Sequence, residues 1–456
     1  MKLRTLLAAA GWVFSGYLMA AEQATAPSLQ WQLNPASSPD VMLDVDPDII
    51  VPMTGSKEIG APTQVGTLLT HRQPIAISNG QGDGQWATLA DGRLLWRLAV
   101  TAPGADWLDF ELLNLKMPKD GELYVSDKDA TTSWRYDYSE LQSGSLYTAG
   151  IPGDSGVLEV LMPAGGRAGF SLELGATTYG ILGITDDGDS TRSGSCNVDV
   201  VCSAGNGKGN QIRSVGRYSF RKSGSTFVCT GTLIANTGNS LTPYFLTANH
   251  CVSSETVADT LVVYWNYQSS TCRTPGSSSS GTPLPLSTAT HSQSGSLLRA
   301  TYSPSDVTLL QLDARPAAGA NTYYAGWSRS SSIPGSAYGI HHPAGHEKRI
   351  AIENNALASS GYLSNPGVGG SSHLRVADWD QGTTEGGSSG SALFNSSNLI
   401  VGQLHGGYAA CGNNSPDWYG RFFTSWTGGG SNSTRLSNWL NPTGSTATSK
   451  SGYEGP

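Results

Sequence analysis

Short apolar runs punctuated by glycine, proline and aspartate dominate the chain. Between about Gly66 and Leu182 they are LLWRLAV (94–100), FELLNL (110–115), GELYV (121–125), VLEVLM (157–162) and FSLEL (170–174). Each has the length of a strand and is closed by a turn residue, which is the pattern of a β-sandwich. From Cys196 onward the same pattern returns. The runs there are FVCTGTLIA (227–235), PYFLTA (243–248), TLVVYWNY (260–267), DVTLLQL (306–312), SALF (391–394), LIVGQLHG (399–406) and YGRFFTSW (419–426). One stretch has helical spacing: in 433–441, Leu436, Trp439 and Leu440 fall at i, i+3 and i+4, and Pro442 stops the run. The pattern predicts an all-β protein with a C-terminal helix.

Three stretches break this pattern. Residues 22 to about 60 carry Pro27, Pro35, Pro39 and Pro47 and read as an irregular leader. ITDDGDSTRSGSC (184–196) is acidic and rich in glycine and serine, with Arg192 just before the first cysteine, and reads as an exposed, cleavable hinge. The end, from Thr443, is low in complexity and is expected to lack fixed structure.

Composition adds a compartment. The chain opens with Lys2 and Arg4, an apolar run from Leu6 to Met19, and small residues at Ala20 and Ala21. This is a secretory signal, cleaved near Ala21, and the run is too short for a membrane anchor. All six cysteines, Cys196, Cys202, Cys229, Cys251, Cys272 and Cys411, lie downstream. An even count in an exported chain points to three disulfides, in any of about 15 pairings. No C-x-x-C is present, which argues against a zinc site. Charge divides the chain in two. Residues 22–192 hold 23 Asp and Glu against 10 Lys and Arg, whereas residues 193–456 hold 12 against 15. Opposite signs favour contact between the halves.

The candidate chemistry lies in the second half. TEGGSSGSALF (384–394) puts Ser389 between Gly387 and Gly390. A glycine–serine stretch alone is more often a loop than a nucleophile. LTANHC (246–251) holds His250 at the end of a strand, beside a cysteine, where an imidazole can be both rigid and accessible. SDVTLLQL (305–312) puts Asp306 at the head of an apolar strand, where a carboxylate can sit beneath an imidazole. The order along the chain is His, Asp, Ser.

With these three boxes, residues 193–441 resemble the trypsin/chymotrypsin superfamily of serine proteases, whose triad runs in that order. SGSCNVDVVC (193–202), VVYWNYQSSTCR (262–273), GIHHP (339–343), GQLHGG (402–407), DWYGRFFTSWTGGG (417–430) and RLSNWL (435–440) are similar to the blocks of the bacterial lysyl endopeptidases. The resemblance implies a chymotrypsin-like double β-barrel after a β-sandwich-like pro-region. It implies a secreted serine endopeptidase with Ser389 as nucleophile, His250 as base, Asp306 orienting it, and an oxyanion hole from Gly387 and Ser389. It also implies the disulfides Cys196–Cys411, Cys202–Cys272 and Cys229–Cys251. The expected organisation is a signal peptide at 1–21, a pro-region at 22–192, a protease domain at 193–442 and a tail at 443–456.

Specificity has its own signature. Six residues before the nucleophile, where trypsin has an aspartate, stands Thr383. The resemblance assigns the charge-selecting role to Asp417 and substrate contact to His405 and Gly406, on a strand that pairs with the bound peptide. It thus implies cleavage after lysine, with arginine-accepting specificity, or a non-catalytic binding protein on a protease fold, as alternatives. The lysyl endopeptidases place a tryptophan near that histidine. LASSGYLSNPGVGGSSHL (357–374) has none, and Tyr362 is its only aromatic residue. His341, His342 and His346 form no metal motif and read as solvent-exposed loop histidines. Ser388 replaces the aspartate that pairs with a new N-terminal amine in most trypsin-like enzymes, so control is expected from a blocking pro-region instead. No cofactor, catalytic metal, nucleic acid or membrane is implied. The partners are peptide substrates and the chain's own pro-region, and the enzyme is expected to be a monomer.

Overall fold

The computed structural model describes residues 21–31, 40–45, 59–71, 73–181 and 193–456. Residues 1–20, which hold most of the expected signal, and 182–192, which hold Arg192, lie outside the described residues. The described chain is all-β with a few short helices.

Two sheets build the N-terminal half. In one, Ser155–Met162 lies between Leu94–Thr101 and Glu122–Asp127, with Gln85–Thr88 and Ser133–Tyr136 outside them. In the other, Ser171–Gly180 lies between Trp107–Lys116 and the strands Thr63–Leu69 and Ile75–Ser78. Trp96, Leu98, Val100, Leu158 and Val160 of the first sheet share a buried core with Leu108, Phe110, Leu112, Leu172 and Leu174 of the second. Alternate residues of each strand point into this core, as a two-layer sandwich requires. The leader is not wholly irregular, because Ala21–Gln23 pairs with both Ser133–Tyr136 and His291–Ser294.

The second half holds two barrels. In the first, Val215–Lys222, Ser225–Leu233, Tyr244–Ala248, Val307–Leu312, Ser296–Tyr302 with His291–Ser294, and Val262–Trp265 pair in turn, and the last returns to the first. The ring closes because one long strand breaks at Gly295, whose φ of +81° suits only glycine. Tyr218, Phe220, Phe245, Trp265 and Leu310 fill it. The second barrel runs Arg349–Glu353, Ala337–His341, Ala392–Asn395, Ile400–Gly407, Asp417–Arg421 and His373–Val376. An isolated bridge, Ile352 to Gln381, ties its open side.

The halves are joined by a shared strand. Thr63–Leu69 pairs with Ser171–Gly180 on one edge and with Ser225–Leu233 on the other. The opposite charges also meet, as Arg221 bonds Asp109 at 2.5 Å and Glu111 at 3.5 Å.

Three expectations need correction. The C-terminal helix is one turn, Ser437–Leu440, held by buried Leu436 and Leu440. The strand expected at 419–426 stops at Arg421, and Phe422–Thr427 is helical, packing Phe422 and Trp426 against Trp327. The tail is folded. Ser449–Lys450 pairs with Trp327–Ser328, Tyr453–Glu454 pairs with Tyr323–Tyr324, and the Tyr453 ring stacks on Tyr324 at 5.0 Å. Composition missed it because these bonds depend on sheet edges formed more than 100 residues away.

Candidate active site

Each candidate sits where a strand ends. His250 follows Tyr244–Ala248 and is stapled by Cys229–Cys251. Asp306 opens Val307–Leu312 in a left-handed conformation with φ +51°, only 2% exposed. That turn lets one carboxylate grip the histidine twice. Oδ2 bonds His250 Nδ1 at 2.8 Å, and Oδ1 accepts the His250 backbone N–H at 2.9 Å. The first contact fixes the ring with Nε2 facing away. Nε2 is buried and has no hydrogen bond among the described residues, so the link to Ser389 that the resemblance implies is not closed here. Such bonds are often long before substrate binds.

The serine loop is locked by Thr230, which the sequence reading missed. Thr230 N donates to Ser389 O at 2.9 Å, and Thr230 Oγ1 donates to Gly387 O at 2.9 Å. Thr230 Oγ1 also accepts from His342 N at 3.1 Å, and Thr247 Oγ1 donates to Thr230 O at 3.0 Å. One residue thus ties the serine loop to the strand that leads to His250. Its position directly after Cys229, in FVCTGTL, was the available signal. Gly387 and Gly390 have φ of +86° and +82°. A Cβ on Gly390 would strike Thr247 and Thr230, so the close approach admits glycine alone.

Ser388 is fully buried. Its Oγ bonds His341 Nδ1 at 2.8 Å and accepts from Glu385 N at 3.2 Å. Glu385 in turn accepts Gly194 N–H at 2.8 Å and Asn197 Nδ2 at 3.0 Å, and Cys196 is bonded to Cys411. The segment after residue 192 is therefore held by Glu385 and a disulfide rather than by Ser388.

The histidines of GIHHP and His346 are not exposed, contrary to expectation. All three are at most 1% exposed. His342 Nδ1 meets His346 O at 2.7 Å, and His346 Nδ1 accepts Ser193 N–H at 3.1 Å. Burial holds the pKa of His342 well below the usual range and that of His346 at about 3. Beside them lies a buried charge cluster of Asp199, Arg273, Glu347 and Arg349. The sequence reading saw polar residues in a loop; the fold wraps that loop between the barrels.

Asp417 is fully buried at the start of Asp417–Arg421. Its Oδ2 accepts from Thr384 Oγ1 at 2.6 Å and Trp379 Nε1 at 2.8 Å. Its Oδ1 has no partner among the described residues and faces the space that a side chain on Gly407 would fill. His405, on the neighbouring strand, lies under Tyr362 and beside His250. His405 Nδ1 is 3.0 Å from His373 Nε2, and His405 Nε2 is 3.8 Å from Asp306 Oδ2. Burial holds both His405 and His373 down at about 4; Asp306 opposes the shift at each, and the neighbouring imidazoles add to it.

The three disulfides pair as the resemblance implies, Cys196–Cys411, Cys202–Cys272 and Cys229–Cys251, consistent with an oxidising compartment.

The chain is similar to known proteins. Residues 190–420 match the family described as lysyl endopeptidase, C-terminal domain. The chain is 29% identical over 384 residues to a lysyl endopeptidase of Pseudomonas aeruginosa, covering 77% of each chain. Among solved structures, the protease Anisep from Arthrobacter nicotinovorans overlays 46% of this chain and 91% of its own at 16% identity, with a TM-score of 0.31. The active form of the Rv3671c protease from M. tuberculosis overlays 53% and 89% at 12% identity, with a TM-score of 0.29.

The protein is a serine endopeptidase that acts on peptide substrates. It belongs to the lysyl endopeptidase family.

Proposed function

We propose that this endopeptidase cuts on the carboxyl side of lysine, and that it is exported as a pro-enzyme. Residues 1–21 are the signal, residues 22–192 mask the site until removed, and the protease unit begins at Ser193. Ser389 Oγ attacks the scissile carbonyl while His250 takes its proton and returns it to the leaving amine. Asp306 holds the imidazole and stabilises its charged form. The N–H groups of Gly387 and Ser389 stabilise the oxyanion, each worth roughly 100- to 1000-fold in rate.

The observation that carries the lysine reading is Asp417. A buried carboxylate with one unpartnered oxygen is costly until a cation reaches it. Arginine is recognised best through both carboxylate oxygens, but Thr384 and Trp379 already occupy Oδ2. The single free oxygen suits a point charge such as an ammonium. His405, with its pKa near 4, is neutral at pH 7 and does not repel that ammonium. The masking role is supported by the strand Thr63–Leu69, which binds the first barrel edge beside the disulfide Cys229–Cys251.

Mapping cleavage sites in a denatured protein mixture tests the specificity directly. Cuts are expected after lysine, and equal cutting after arginine would remove the claim. Asp417→Asn should lower kcat/KM for a lysyl substrate by about 100-fold, the scale of a lost charged hydrogen bond. An active-site fluorophosphonate should label the mature protein but not Ser389→Ala.

A further inference from the structure

Among the described residues, Gly60–Thr63 brings the N-terminal half against the serine loop and the strand carrying His405, and its direction there is informative. Thr63 pairs antiparallel with Val228, next to Cys229. Its Oγ1 fills the space that a side chain on Gly386 would need. Three residues upstream, Gly60 N lies 3.1 Å from where a Cβ on Gly406 would stand. A Cβ on Gly60 would in turn lie 2.7 Å from the Tyr362 hydroxyl and 3.6 Å from His405 Nε2, and its φ of +77° suits glycine.

Ser389 sits between these two anchors. Gly390 N donates to Leu404 O at 2.8 Å, which sets the serine beside the strand carrying His405 and Gly406, and residues 386 and 387 lead into it from the other side. Residues 59–60 turn and residue 61 bends before the strand begins at Thr63, so the step from Gly60 to Thr63 is a short connection between the two anchors. Only Ala61 and Pro62 bridge it.

We infer that Gly60–Thr63 lies in the cleft in the direction of a cleavable peptide, with the Ala61–Pro62 bond where a substrate is cut; this rests on the roles proposed for Ser389 and Asp417. The acyl side faces Gly406 and the Asp417 pocket. The leaving side pairs with the strand beside the disulfide Cys229–Cys251.

The bond survives for two chemical reasons. The Ala61 methyl group cannot reach Asp417 Oδ1, so no ion pair draws the carbonyl toward the oxyanion donors. Among the described residues, the N–H groups of Gly387 and Ser389 bond to no acceptor, and the Ala61 carbonyl is not polarised. Pro62 contributes a ring nitrogen without N–H, so the leaving side lacks the amide hydrogen that an ordinary peptide presents there. The segment is a substrate in path and an inhibitor in chemistry. It also defines the neighbouring subsite, where the Tyr362 hydroxyl leaves room for glycine and little more.

The test converts inhibitor to substrate. In the full chain, the double variant Ala61→Lys/Pro62→Ala should be cut between residues 61 and 62, giving a new N-terminus at 62 by mass and terminal sequencing. Ala61→Lys alone should stay intact at that bond, and adding Ser389→Ala to the double variant should abolish the cut. A second measurement does not depend on precursor folding. Against the mature enzyme, a synthetic peptide of residues 58–66 with lysine at 61 and proline at 62 should inhibit about tenfold or more tightly than the natural sequence. The same peptide with alanine at 62 should be consumed. If the mature enzyme labels with fluorophosphonate and cuts lysyl substrates, yet neither the double variant nor the last peptide is cut at 61–62, the placement is wrong. If the enzyme does not label, the reading of Ser389 fails first and this inference with it.

Discussion

The rings of Tyr362 and His405 are stacked face to face, with centroids 3.5 Å apart and planes 7° from parallel. His405 also lies parallel to His250 at 5.6 Å, so three rings form a column beside Ser389. Tyr362 thus supplies the aromatic ring that covers His405. An aromatic pair contributes about 0.5–1.5 kcal/mol beyond burial. Tyr362→Ala should therefore lower kcat/KM for a lysyl substrate by about three- to tenfold, and Tyr362→Trp should restore it. Steady-state kinetics on a lysyl anilide provide the measurement. An unchanged Tyr362→Ala enzyme would leave the column without a role.

The two donors on Asp417 Oδ2 make a second prediction. Thr384→Val removes the 2.6 Å hydroxyl contact and leaves Oδ2 with Trp379 alone. A second oxygen then becomes available to a guanidinium fork. The ratio of arginine to lysine cleavage should rise, by about tenfold if one charged hydrogen bond is gained. Paired arginyl and lysyl substrates read this ratio without reference to enzyme concentration.

Thr230 holds the serine loop through both its backbone and its hydroxyl. Thr230→Val keeps the shape but leaves Gly387 O and His342 N without that partner. Because small displacements of the oxyanion donors are expensive, kcat should fall by about 10- to 100-fold while KM changes little. A loss confined to KM would show that Thr230 shapes binding rather than the transition state.

Acid should loosen the second barrel. His373 and His405 titrate near 4 in the folded protein and His346 near 3, against an ordinary value near 6.5. Between those limits the unfolded chain binds more protons than the folded one, so stability rises with pH through the window and is lost as pH falls from about 6.5 to 4. Thermal melting of Ser389→Ala across this range should show a steep decline in Tm. His373→Gln should flatten part of it, since one titrating ring is gone. A Tm independent of pH in that window would contradict the burial of these rings.

The sequence by itself determined the strand-rich class, the order His250, Asp306, Ser389, and the absence of a charge at Ser388. These are local facts: turn residues bound each strand, and each box is contiguous. Tertiary structure decided what depends on distant neighbours. The tail looked shapeless, yet Tyr453 found Tyr324 and a free strand edge. GIHHP looked exposed because its residues are polar, yet closure of the fold over it buried both histidines. The role of Tyr362 is not local, because only folding brings it over His405, 43 residues further along the chain. Gly60 carried no motif, and Thr230 only its place after Cys229. Their meaning lies in approach distances to the serine loop and its flanking strand, and a strand register between two halves of a chain is set by packing, which no local pattern encodes.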